Sequence, residues 1–229
     1  MKTRFFFAFA LLSVLLTGCA SAPQQPVSLS EQIAKPNQTK IGVVMTQLPK
    51  NDSFYPGADC LLCIATAATA NSTLSGYIKT LPQENLAELK QRAADLLRKK
   101  GMDVTVIDEP LQIDKLPKAN TKGVNVSEKN FSAFKSKYGV DKLLVINITT
   151  IGMTRSYASY IPTSEPKMTF KGFGYIVDLA TNQYDWYQPI DIAKSSDGPW
   201  DEPKSFPGLT NAYFQALELG QAGFLTPFQ

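Results

Sequence analysis

Apolar positions along this chain recur with a few distinct spacings, and each predicts a different element. Three β-branched runs bounded by polar residues read as buried strands: Lys40 to Leu48 (KIGVVMTQL), Asp103 to Ile107 (DVTVI) and Lys142 to Ile151 (KLLVINITTI). Leu86, Leu89, Ala93, Leu96 and Leu97 share one helical face and predict an amphipathic helix over 84–100. Thr80 and Gln83 offer a capping box ahead of it, and Gly101 a stop behind it. Ser127 is expected to start a second helix, with Phe131, Phe134 and Tyr138 on one face and Gly139 at its end. Met168 to Leu179 and Gln183 to Ile192 flank the turn residues ATN and read as a hairpin. In its first arm Gly172 and Gly174 signal a bulge or a close backbone approach, and Pro189 marks the second arm as an edge strand or one that ends early. A closing helix over 209–224 turns Leu209, Tyr213, Ala216, Leu217 and Gly220 inward.

The predicted order is β, α, β, α, β, β, β, α. Helices followed by a meander of strands give the α/β class, here a sandwich without a third layer: a mixed sheet with helices mainly on one face.

The first residues follow none of these periods. Lys2 and Arg4 precede an almost unbroken apolar run, Phe5 to Leu16, which is shorter than the roughly 20 residues that span a bilayer. A basic start, an apolar core and small residues at a cleavage point mark a secretory signal. Its end, LTGC at Cys19, resembles the lipobox of bacterial lipoproteins. The resemblance implies cleavage after residue 18 and acylation of Cys19. Ala20 and Ser21 follow, with no Asp, which in that class implies an outer-membrane address and a body facing the periplasm. The expected organisation is a signal peptide over 1–18, a lipidated cysteine and flexible Ser/Ala/Pro/Gln-rich tether over 19–39, and one periplasmic domain over 40–229.

Composition narrows the function classes. Lys and Arg number 23 against 20 Asp and Glu; losing Lys2 and Arg4 leaves 23 − 2 = 21, a net charge of +1. That balance argues against a nucleic-acid partner. The chain has no histidine, so the usual general base at neutral pH, the Ser-His-Asp and Cys-His arrangements and the His-containing zinc sites are all excluded. The expectation is a protein that is not an enzyme and carries no cofactor and no metal.

Two local patterns carry a wider resemblance. FSAFKSKYGVDKLLVINIT and GYIVDLATNQYDW look like the helix–turn–strand and strand–turn–strand of the periplasmic lipoprotein group that includes the penicillin-binding-protein activator LpoB, the curli secretion lipoprotein CsgG and the amino-terminal domain of TolB. Asn182 stands where that group usually has Gly, and Asn tolerates the left-handed backbone. The resemblance implies an α/β body that binds another envelope component.

Cys60 and Cys63 open the segment CLLCIATA, read as helical in its first half, with Asp59 as a candidate N-cap. With no His and only two cysteines left after lipidation, a closed zinc site lacks ligands. A thiol-disulfide oxidoreductase using this pair is one alternative function. A structural pair, bonded or simply buried, is the plainer reading in an oxidising periplasm. Tyr157 and Tyr160, in a loop between strands, and Trp200 and Phe206, in the loop GPWDEPKSFPG, are candidate partner contacts, the second loop equally admitting a tuck into the core over the sheet edge. The loop around Tyr157 also admits a second alternative, a subunit of an oligomeric secretion channel. The leading expectation is a non-enzymatic lipoprotein held in the outer membrane by its acylated Cys19, with an envelope protein as partner.

Overall fold

The computed structural model describes residues 23–34, 39–202 and 204–229; Cys19 and the signal segment lie outside the described residues. Strand β1 (Lys40–Met45) begins the sheet, followed by the short β2 (Asp52–Phe54). Helices α2 (Leu61–Ala70), α3 (Ser72–Ile78) and α4 (Leu89–Lys99) come next, then β3 (Asp103–Val106). Short α5 (Ala133–Tyr138) leads into the long β4 (Lys142–Thr154). A two-stranded ribbon, β5 (Tyr157–Ala158) and β6 (Ile161–Pro162), precedes β7 (Lys167–Asp178) and β8 (Tyr184–Ser195). Helix α6 (Pro207–Leu225) closes the fold, and a single turn of helix, α1 (Glu31–Ala34), precedes β1.

The sheet is mixed, in the order β3-β1-β4-β7-β8. β1 is parallel to β3 and β4, while β4–β7 and β7–β8 are antiparallel. β2 resumes the place of β1 farther along β4, pairing Asp52 to Phe54 with Gly152 to Thr154. This is the α/β architecture expected. One face carries α3, α4 and α6 over Ile41, Val43, Leu144, Ile146, Phe170 and Trp186. On the other, the irregular chain around Ile107, Leu111 and Phe131 covers Leu143, Val145, Tyr175 and Val177.

Two register shifts set which side chains reach which face. Strand residues alternate faces, so a one-residue bulge reverses the parity beyond it. At the Ile148/Thr150 shift, even positions (Leu144, Ile146, Ile148) and then odd ones (Ile151, Met153) meet the same core. Gly172 lies opposite this bulge, where a Cβ would press on the Asn147 carbonyl oxygen; at Gly174 one would overlap Trp186. The bulge is as the sequence signalled, and both glycines also leave room for Phe224 of α6.

Three expectations need correction. The first predicted helix starts later: Asn85 takes a left-handed φ of 60° and α4 begins at Leu89. No capping box forms there, because Thr80 donates to Tyr77 O and Gln83 to Pro49 O and Asn51. The second helix loses its first half, because Asn182 donates to the carbonyls of Ser127 and Lys129 that a helix would need.

The tether is the third. Residues 23–34 lie against the domain: Val27 exchanges both backbone hydrogen bonds with Tyr187, Ser30 N–H donates to Asp185 O, and Ile33 is fully buried. Val27, Leu29 and Ile33 punctuate a polar stretch whose composition suggested a coil. The outer edge of β8 supplies unpaired backbone groups that such a segment covers.

Candidate functional site

One end of the sheet gathers nearly every residue singled out in the sequence. There β4 ends, β5–β6 projects, β7 begins, and the α2–α3 arm lies alongside. Backbone bonds join the arm's lead to the ribbon: Tyr157 N–H donates to Pro56 O at 2.8 Å and Ser159 N–H to Gly57 O at 2.9 Å. Gly57, at φ 85°, runs so close to the Tyr157 carbonyl that a Cβ would overlap it.

Cys60 and Cys63 form a disulfide at the start of α2. Cys60, not Asp59, is the N-cap: its sulfur accepts from the Cys63 N–H at 3.0 Å. Cys60 is exposed and Cys63 buried, the latter packing with Ala58, Ala67 and Tyr157 in a small separate core. The predicted half-helix is in fact two helices broken at Asn71. That residue's amide donates to Ala67 O and to the Tyr157 hydroxyl, each at 2.7 Å. Its Oδ1 accepts from Arg155 at 2.9 Å, and the Arg155 guanidinium lies 4.8 Å from the Trp200 ring centre. Tyr55 shares a hydrogen bond with Ser75 at 2.8 Å and meets Tyr157 edge-on. At the arm's far end Tyr77 pairs with Thr210 at 2.8 Å and packs its ring on Phe206.

This lattice decides which aromatic candidates face outward. Tyr157 and Phe206 are buried, each holding the arm to the body, so neither presents its ring to a partner. Trp200 is half-buried under Arg155. Tyr160 alone is fully available, at 64% exposure.

The same end carries further exposed apolar residues that the sequence reading passed over. Leu61 is 88% exposed, Leu62 75% and Ile161 58%, with Ile64 and Phe54 also exposed. From Cys60 to Ile78 no residue carries a charge. Such an uncharged run is ordinary in a core, but here its Ala, Thr, Ser and Leu side chains line a solvent-facing helix. The signal was therefore the absence of charge on a helix too short of large apolar residues to be buried all round.

Chemistry is sparse by comparison. Among the described residues no three His, Cys, Asp or Glu side chains are placed to hold a metal ion. A groove of about 440 Å³ runs beside Pro49, Lys50 and Lys79. Asn51 at its back is committed to Ile78 O, Leu81 O, Gln83 and Tyr213. Among the described residues no helix is long and apolar enough to cross a membrane.

No protein-family model matches the chain, and no curated protein matches it. Solved structures with a related outline include the PelC dodecamer from Paraburkholderia phytofirmans, 10% identical over 86% of this chain and 95% of that one, with a TM-score of 0.33. A DUF330 protein from Xanthomonas campestris is 11% identical over 88% and 93%, TM-score 0.34. A lipoprotein from Neisseria meningitidis is 13% identical over 79% and 98%, TM-score 0.27. Overlaps at this level carry no inference about function.

Proposed function

We propose that this chain is a non-enzymatic lipoprotein of the cell envelope, anchored in the outer membrane through an acylated Cys19, and that it works by docking another envelope protein through the α2–α3 arm. The observation that carries the reading is the uncharged arm itself, with Leu61, Leu62 and Ile64 in solvent, bonded through its lead at Gly57 to the ribbon that exposes Tyr160 and Ile161. Exposed apolar side chains on one end of a domain, held by a hydrogen-bonded frame, are what a protein contact uses. The Asn71–Tyr157–Arg155 network holds the arm in place, so little ordering cost falls on binding. The partner surface is accordingly apolar and uncharged.

A photo-crosslinking residue at position 62 in the acylated protein, within intact envelopes, tests this. A discrete heavier species is expected from position 62, none from the exposed position 91 on α4, and none when Leu61→Ser accompanies the label. Equal yields from 62 and 91, or none from 62, would sink the reading.

One observation favours a second reading. Cys60 sits exposed at a helix start with Cys63 buried behind it, the arrangement a thiol-disulfide oxidoreductase needs. Insulin reduction that disappears in Cys60→Ser would establish it; equal rates with and without Cys60 would remove it.

A further inference from the structure

The end of the molecule opposite the arm carries its own surface. The chain enters the described structure there: Gln24 donates to Asn125 at 3.0 Å, and Asn125 accepts the Tyr184 N–H through its carbonyl at the first residue of β8. β8 has 12 residues, so roughly 35 Å separates this end from the β5–β6 end. Three residues, 20–22, separate Cys19 from Pro23, so the four steps between them reach about 14 Å at full extension.

Asn125 belongs to the segment 115–130, fixed to the β7–β8 turn by Val126 opposite Gln183 and by Asn182 bonded to Ser127 and Lys129. Val124, beside Asn125, is 88% exposed. Lys115, Lys118 and Lys122 on the same stretch are exposed and make no ion pair among the described residues. The acidic groups at this end are Asp114 and Glu128, both exposed, together with Asp141, paired with Lys135, and Asp178 and Asp185, both paired with Lys142; residues 179–183 and 23–30 add none. Lys129 turns inward to Asp114 O and Leu116 O.

We propose that this Lys115–Asn125 loop is a membrane-surface site that seats on anionic lipid headgroups, with Val124 entering the interface. The inference rests on acylation of Cys19, which brings the loop within reach of the bilayer. Lysines near an anionic leaflet each strengthen attachment about fivefold, and a basic patch beside an acyl chain makes attachment firm. The same geometry turns the uncharged arm away from the anchoring bilayer, which leaves that arm for a partner beyond the membrane surface.

The test uses full-length acylated protein on vesicles of phosphatidylcholine with or without phosphatidylglycerol. An environment-sensitive fluorophore is placed at Val124→Cys or Tyr160→Cys, and lipid-borne quenchers report depth. Quenching is expected at 124 and not at 160, stronger with phosphatidylglycerol and weakened at least tenfold by Lys115→Ala/Lys118→Ala/Lys122→Ala or by high salt. Flotation with the vesicles but no quenching at 124, or equal quenching at 124 and 160, overturns the loop site and leaves the anchor standing. Failure to float with the vesicles overturns both.

Discussion

Asn71 and Tyr157 stand 86 residues apart in the chain, yet the Asn71 amide donates to the Tyr157 hydroxyl at 2.7 Å inside the protein. This bond fastens the arm's helix break to the ribbon. Removing the hydroxyl leaves one buried amide hydrogen unmatched, which costs about 1–3 kcal/mol. Tyr157→Phe is therefore expected to lower unfolding stability by that amount in urea. It should also speed proteolysis within 60–78 more than elsewhere.

The disulfide closes a very small loop, so it adds about 2 kcal/mol at most. The arm is held mainly by Asn71, Tyr55 and Tyr77. Cys60→Ser/Cys63→Ala should keep the helical circular dichroism of the parent, since Ser is also a good N-cap. Loss of the whole folded signal would show that the arm depends on its sulfur bridge.

Lys142, buried at the start of β4, bonds Asp178 at 2.9 Å and Asp185 at 2.6 Å. Burial pushes the Asp178 carboxyl upward, but the Lys142 ammonium and the Thr181 and Ala180 amides outweigh it and hold its pKa at about 2, below the ordinary 3.8. A carboxyl held low in the fold adds stability that is fully present above about pH 4 and is lost as pH falls toward 2. For Lys142, burial pulls downward and the two carboxylates outweigh it, raising its pKa; that contribution is full below its ordinary 10.5 and fades only at higher pH. Asp178→Asn should be less stable at neutral pH and flatten the stability curve between pH 4 and 2. An unchanged acid limb would contradict the assignment.

Gly220 of α6 faces Phe170 on β7 so closely that a Cβ would overlap the ring. Helix propensity favours Ala over Gly by about 1 kcal/mol. Overpacking against a buried aromatic costs about 1–3 kcal/mol. Gly220→Ala is expected to destabilise, read as a lower melting temperature.

The strands were legible because Val and Ile cluster where both faces of the sheet are buried, as in KIGVVM and KLLVINI. The final helix was legible because its inner face, Leu209 through Gly220, keeps helical spacing. The helix expected at Ser127 failed because period alone cannot register a competitor: Asn182, more than fifty positions away, takes the carbonyls the helix would use. Tyr157 was legible as an important aromatic but not as a buried one, and the loop of Phe206 was open between contact and core, since the burial of both depends on long-range contacts to the arm. The docked segment 23–34 escaped because its composition matches a coil; the edge of β8 gives Val27 its place and the main core gives Ile33 its own.

Labelled palmitate fed to cells making the parent chain or Cys19→Ser tests the account most directly. Label in the parent, none in Cys19→Ser, and release of the variant from the outer-membrane fraction is the predicted result. A parent chain that takes up no label, or a variant that stays in the same fraction, would contradict the anchor and the end-to-end arrangement built on it.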